Sequence, residues 1–226
     1  MQHIHKLEQL INKSLVEIDA DFEENAERTR LLYVSLKQQK GVIGNWFEWI
    51  LTGKRGDNLA EADDTETGVE IKCCQFIYNN GTWQPKENLR LTTINYNEIQ
   101  YTAFEDSCLV KKSKILIARL SYNTDQTGAN VKLIDIGYIN LLDERWVTQV
   151  KADYQHVREM CMMGMADKLT SKKDQSGKII KTYSHGNGKN VKTYTDAAGN
   201  QQQAKGKAFY LFKQQQVDLF QSILDN

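Results

Sequence analysis

Asp63 or Asp64, followed by Glu70 and Lys72, places one carboxylate a short interval ahead of a second carboxylate and an ammonium two residues apart. Same-face side chains on a strand recur about 6.6 Å apart, so Glu70 and Lys72 project together, and an acid returning from the preceding turn can share a cation with Glu70. Two carboxylates completed by water oxygens suit Mg2+, which keeps several waters and engages phosphate oxygens. Beside such an ion the Lys72 amine would orient and help deprotonate an attacking water, and the ion would stabilise charge on the phosphorane and the leaving oxygen. The same spacing also serves as an exposed ion pair on a strand, an alternative the motif alone leaves open. Glu48 stands among bulky apolar residues in Gly44-Asn-Trp46-Phe47-Glu48-Trp49-Ile50. On a helix it turns to a different face from Phe47 and Ile50, toward solvent or toward a site.

Other chemistries are poorly supplied. Cys73 and Cys74 are adjacent while Cys108 and Cys161 stand apart, so no pair has zinc-site spacing and buried small hydrophobes are expected. His3, His5, His156 and His185 include no pair four residues apart, which leaves carboxylates to hold any metal. With 226 residues, 40% hydrophobic and 26% charged, the chain can bury a core as one large domain or two small lobes. It has no apolar run of about 18–20 residues and no charged-then-apolar start, so a soluble cytoplasmic protein, off the membrane, is expected. The formal net charge of zero hides a division. Residues 1–110 carry 11 basic and 18 acidic side chains, and residues 111–226 carry 18 and 11. Within 168–213, ten lysines face only Asp174 and Asp196, an excess that suggests a polyanionic partner.

The elements that must position these groups alternate in type. Apolar spacing predicts helix over 5–38, then a compact apolar helix within Gly41 to Leu51, after the glycine pair Gly41 and Gly44 and ending near Gly53. Val69, Ile71 and Cys73 alternate with Glu70, Lys72 and Cys74, predicting a strand with the two groups on opposite faces. Asn79-Asn80-Gly81 between β-prone runs predicts a hairpin. Further strands are expected at 89–94, 114–118 and 131–138, helix over 143–169, and a last amphipathic helix at about 212–224. The Gly- and Ser-rich stretch 170–207 reads as hairpins or loops rather than core. The resulting class is α+β, with a mixed, mostly antiparallel central sheet flanked by helices.

Lys40-Gly41-x-x-Gly44-x-x-x-Glu48 and Asp63-x6-Glu70-x-Lys72 within Gly68-Val-Glu-Ile-Lys72 resemble the MutH-like branch of the PD-(D/E)xK nucleases. Leu89-Arg-Leu-Thr-Thr-Ile-Asn95-Tyr96, Phe104-Glu-Asp-Ser107 and Ala208-Phe-Tyr210-Leu-x-Lys213 bring the resemblance nearest to its GATC-cutting Type II restriction endonucleases. The resemblance implies that Asp63, Glu70 and Ile71 bind Mg2+, that Lys72 positions the nucleophilic water, and that Glu48 lies beside them from the preceding helix. Lys111, or its neighbour Lys112, matches a second active-site lysine of the family. The resemblance also implies one MutH-like domain over 1–226, with a catalytic lobe at about 1–140 and a recognition lobe at about 141–226 flanking a cleft for double-stranded DNA. His185, Asn187, Lys189, Lys207, Tyr210 and Lys213 would contact that DNA, and a homodimer would let one site per chain cut both strands. Where the repair enzymes carry Arg-Pro, this chain has Thr182-Tyr183 ahead of Gly186-Asn187-Gly188, which favours a restriction enzyme over a mismatch-repair nickase. A catalytically silent DNA-binding module is the remaining alternative.

Overall fold

The structure, a computed structural model, describes residues 9–22, 42–52, 62–64, 67–122, 130–170, 178–184 and 190–222. In chain order its helices are α1 Leu15–Phe22, α2 Val42–Thr52, α3 Tyr96–Ile99, α4 Cys108–Lys111, α5 Val147–Met162 and α6 Lys213–Asp218. The strands are β1 Val69–Asn79, β2 Thr82–Pro85, β3 Leu89–Thr93, β4 Lys114–Ser121, β5 Leu133–Asn140, β6 Lys181–Ser184, β7 Val191–Thr195, β8 Gln201–Lys205, β9 Lys207–Leu211 and β10 Gln221–Ser222. The fold is α+β. Two compact units share the chain: Met1–Glu87, Lys114–Ile139 and Leu219–Asn226 form the first, and Asn88–Ser113 with Asn140–Asp218 form the second.

The first unit is built on a five-stranded mixed sheet in the order β10-β5-β4-β1-β2. The strand that carries Glu70 and Lys72 runs parallel to β4, pairing Glu70 with Ile115, Ile71 with Leu116 and Lys72 with Ile117. Its alternation is the physical reason for the two-faced sheet. Ile71 buries against Ile43, Trp46 and Phe47 of α2 together with Leu116, Leu133 and Ile136, with Val69 and Cys73 packed alongside. The Asn-Gly turn joins β1 to β2 with Asn80 at φ 49 and Gly81 at φ 81, left-handed values that suit a tight hairpin.

Three expected helices are shorter than their apolar spacing suggests, the one over 143–169 running only from Val147 to Met162 with a separate turn at Ala166–Lys168. Residues 9–13 are turn, with Asn12 at φ 70 and its N–H donating to Leu133 O at 2.7 Å, so α1 starts only at Leu15. Ser14 and Glu17 form a reciprocal cap there: Glu17 N–H donates to Ser14 Oγ at 3.3 Å, and Glu17 Oε2 accepts from Ser14 N–H at 2.7 Å. Residues 5–8 and 23–38 of that expectation lie outside the described residues. At the other end, the helix expected over 212–224 stops at Asp218, and Gln221–Ser222 pair with β5 as an antiparallel strand. Tertiary contacts outcompete helical spacing here. The Arg119 guanidinium lies 3.3 Å from the Phe220 ring centroid, and Ser222 Oγ donates to Asp135 Oδ1 at 2.8 Å. Residues 223 and 224 lie outside the described residues.

The second unit holds a three-stranded antiparallel sheet, β3-β9-β6, and a two-stranded ribbon, β7-β8. Part of the stretch 170–207 is core rather than loop, because Ile180, Tyr194 and Ala204 are buried. Tyr194 stacks at a tilt on Tyr96, 5.2 Å between centroids, and its hydroxyl accepts from Ala166 N–H at 3.1 Å. Asp153, buried on α5, accepts from the successive N–H groups of Lys178, Ile179 and Ile180 at 3.0, 2.8 and 3.0 Å. That carboxylate fixes the entry into β6.

Gly137 shows how tightly β10 is seated: a Cβ there would lie 2.2 Å from Gln221 O and 2.6 Å from Phe220 Cζ. Gly137→Ala is therefore expected to destabilise the protein by about 1–3 kcal/mol through overpacking. Thermal denaturation followed by circular dichroism checks this, and an unchanged midpoint would mean that β10 does not seat on β5.

Candidate active site

Glu70 is 3% exposed, on the β1 face opposite α2, beside the buried side chains of Ile115 and Ile117. A carboxylate among such walls needs a counter-charge. Lys72, two residues on and on the same face, supplies it as an ion pair from Nζ to Glu70 Oε1. The Lys72 side chain keeps 26% exposure, so the pair has one buried and one accessible member.

The turn before β1 brings in the second acid and separates Asp63 from Asp64. Asp64 makes a main-chain bridge with Val69, its N–H donating to Val69 O at 2.9 Å, while Gly68 takes φ 69. The Asp64 carboxylate is engaged within that turn, with Oδ2 accepting from Thr67 Oγ1 at 2.6 Å. Continuing the antiparallel register by one residue puts position 63 opposite position 70. Asp63 Oδ2 accepts from Ile71 N–H at 2.8 Å, so its carboxylate caps the β1 edge. A strand residue projects its N–H and C=O to the same side, so the Ile71 carbonyl opens on the edge that Asp63 occupies. Pairing with β2 covers only Phe76 to Asn79.

The remaining sequence candidates lie on other elements. Glu48 is half-buried on α2, and its helix packs on the face of β1 that carries Cys73. Desolvation pushes the Cys73 thiol well above its ordinary pKa, with Cys74 and Glu48 adding to the rise and Lys72 opposing it. Burial likewise pushes Cys74 and Cys161 up to about 12, so these sulfurs are packing groups rather than nucleophiles. In the second unit, Lys111 ends α4 and is exposed, with Lys112 partly buried after it. Tyr210 is half-buried on β9 and Lys213 is exposed at the start of α6. Lys207 departs from its expected place among DNA-contacting lysines. It is 7% exposed, its ammonium donates to Leu169 O, and burial together with Lys205 holds its pKa below the usual lysine value. Charge counting missed this because the strand register turns Lys207 away from solvent. His185, Asn187 and Lys189 lie outside the described residues.

Asp63, Glu70 and the Ile71 carbonyl are hard oxygen donors, the chemistry that a Mg2+ ion accepts with water or phosphate completing its shell. Among the described residues no three His, Cys, Asp or Glu side chains form a metal-ligating group. At this edge the sequence candidates offer two carboxylates and a main-chain oxygen, with the Lys72 ammonium paired to Glu70.

A turn acid at a strand edge followed by Glu-x-Lys on that strand resembles the acidic edge of the PD-(D/E)xK nuclease class. Residues 53–153 match the family model described as DNA mismatch repair enzyme MutH. The chain is also 37% identical over 84 residues to the Type II restriction enzyme Sau3AI of Staphylococcus aureus, a stretch that makes up 36% of this chain and 17% of that protein. The match thus spans about a sixth of that relative's length. Over part of its length the chain is thus similar to the MutH family and to this Type II restriction enzyme.

Removing one partner of the ion pair strands the other. Lys72→Met is expected to cost about 1–3 kcal/mol by leaving Glu70 buried without its counter-charge, and adding Glu70→Gln in the same chain should recover much of the loss. Urea denaturation of the two single variants and the double variant measures the coupling, and strict additivity would contradict it.

Proposed function

We propose that this chain is the catalytic part of a Mg2+-dependent endonuclease that hydrolyses phosphodiester bonds in double-stranded DNA, of Type II restriction character and directed at GATC. The reading is supported by the Asp63 carboxylate on the Ile71 N–H and the Glu70–Lys72 ion pair on the same stretch of β1, inside the segment that matches the MutH family model. Asp63, Glu70 and the Ile71 carbonyl would hold the ion, and a bound Mg2+ would neutralise charge on the scissile phosphate and its leaving oxygen. Lys72 holds and orients the water whose oxygen attacks phosphorus. As the new P–O bond forms, the water releases a proton to solvent, the bond to the leaving oxygen breaks, and that oxygen takes up a proton from solvent. The apolar walls of Ile115 and Ile117 strengthen each charge interaction at Glu70 by keeping bulk water away. Glu48 and Lys111 are candidate supporting groups.

Binding would draw on the lysines of 168–213 other than the buried Lys207, with Tyr210, Lys213 and the stretch His185 to Lys189 in the groove. The protein would act in the cytoplasm, pairing as a homodimer on DNA to cut both strands. The match to a mismatch-repair family also favours a second reading, a nickase acting on hemimethylated GATC.

Digestion of a supercoiled plasmid tests both. Cutting is expected with Mg2+ and none with EDTA, and Glu70→Ala or Lys72→Ala should lower the rate by on the order of 10²–10⁴. Cutting in EDTA, or full activity of either variant, would contradict the mechanism. Linear product from the chain acting alone supports restriction, and open circles that never become linear support the nickase. Cleavage of DNA lacking GATC would remove the site assignment and leave the chemistry in place.

A further inference from the structure

β2 is the outermost strand on its side of the five-stranded sheet, and among the described residues it pairs only with β1. Its hydrogen-bonding phase follows from the turn. A two-residue loop closes on a hydrogen-bonded pair, here Asn79 with Thr82, so Ile77 with Gln84 is the next such pair along the ladder. Lys86 N–H donates to Gln75 O at 2.8 Å, which continues the same phase. Thr82 and Gln84 therefore turn their main-chain groups toward β1, and Trp83 turns its N–H and C=O outward. Pro85 takes the next outward position, where a missing N–H costs the β1–β2 ladder nothing. Thr82, Trp83 and Gln84 are all exposed. Trp83, 41% exposed, meets Tyr78, 62% exposed, at 5.2 Å between ring centroids. From Phe76 to Pro85 no side chain is charged. Lys86, the first cation after β2, is folded back on its own sheet, with Nζ 3.1 Å from Gln75 Oε1 and 3.6 Å from the Tyr122 ring centroid.

We propose that the outer edge of β2 is the contact between two copies of this chain, paired antiparallel about a two-fold axis at Trp83. In that pairing the Trp83 N–H of each copy donates to the Trp83 carbonyl of the other, and the two sheets join across the axis. The rings of Tyr78 and Trp83 then continue into the same two rings of the second copy as one aromatic row. Charge and symmetry select this occupant. A nucleic acid would call for cations and a charged protein for opposite charge, and this tip offers neither. An uncharged edge complements its own copy, and a strand with one outward amide closes on itself in a single reciprocal pair. Exposed sheet edges are ordinarily guarded by an outward lysine or another charge, and here the nearest lysine is turned away. The contact supplies a surface for the homodimer named above but stands on the geometry of this edge, not on the endonuclease reading.

Sedimentation velocity of the full chain over a concentration series is the test. The wild type is expected to pass from monomer to dimer as concentration rises and to stop at two copies. Trp83→Lys places like charges directly across the axis and should weaken association at least about tenfold, with Trp83→Tyr retaining it. Trp83→Glu should weaken it likewise, and an equimolar mixture of the Trp83→Lys and Trp83→Glu chains should recover a dimer that neither forms alone. That recovery requires position 83 to face itself. Gln84→Lys brings charge to the same edge without touching either ring and should act in the same direction, and an unchanged thermal midpoint checks that each variant folds. A wild type that stays monomeric, or association that persists in Trp83→Lys, would overturn the contact. Assemblies that grow past two copies would overturn it in favour of head-to-tail pairing of β2 with β10. Loss of duplex binding in Tyr78→Ala with Trp83→Ala, from a wild type that is monomeric, would overturn it in favour of a nucleic-acid contact. Plasmid cutting by a monomeric wild type would remove this contact and leave the endonuclease reading in place, whereas a dimer that follows the Trp83 variants but never cuts DNA would support the contact and overturn that reading.

Discussion

A carboxylate buried on β1 dominates the design of the first unit. Glu70 sits where parallel pairing with β4 would ordinarily demand an apolar residue, flanked by Ile115 and Ile117. That position is tolerable because Lys72 shares its face and neutralises it, and because the sheet's opposite face carries the hydrophobic burden through Ile71 and α2. A simple core strand would gain stability from an apolar residue at position 70. The chain instead keeps an ion pair at the edge that Asp63 caps, a local conflict of the kind that marks functional sites.

The second unit solves the reverse problem. Its three-stranded sheet needs only one face to build a core, and Tyr154 of α5 supplies the cover by stacking on Phe209 at 6.0 Å. The other face carries Arg90, Lys181, Tyr183 and Tyr210 with a buried Ala208. Asp153, on the same helix, holds the three amides that lead into β6, so one helix both closes the core and sets the height of the open strand.

Much of this was legible in the residues. The alternation from Val69 to Cys74 placed Glu70 and Lys72 on one side and the core residues on the other, and the Asn-Gly pair marked the hairpin, because both signals are local. The pairing of β1 with β4 was not legible, since nothing in either strand names a partner beyond an intervening segment. The last helix was over-read for a related reason. Leu219 and Phe220 continue a helical stripe, but the ring of Phe220 is claimed by Arg119, a partner remote in sequence. Lys207 was counted as surface charge because composition carries no facing. At the site, the turn geometry that engages the Asp64 carboxylate with Thr67 and sends Asp63 to Ile71 depends on hydrogen bonds that spacing does not encode.

The parallel β1–β4 ladder has a temporal meaning as well. Between its two strands runs all of Asn88–Ser113, a piece of the other unit. As the polypeptide emerges from the ribosome, the acidic strand is therefore extruded long before the neighbour that will bury it. An early fragment cannot assemble this sheet, and the edge that bears Asp63 and Glu70 matures only once the chain through Ser121 has been synthesised.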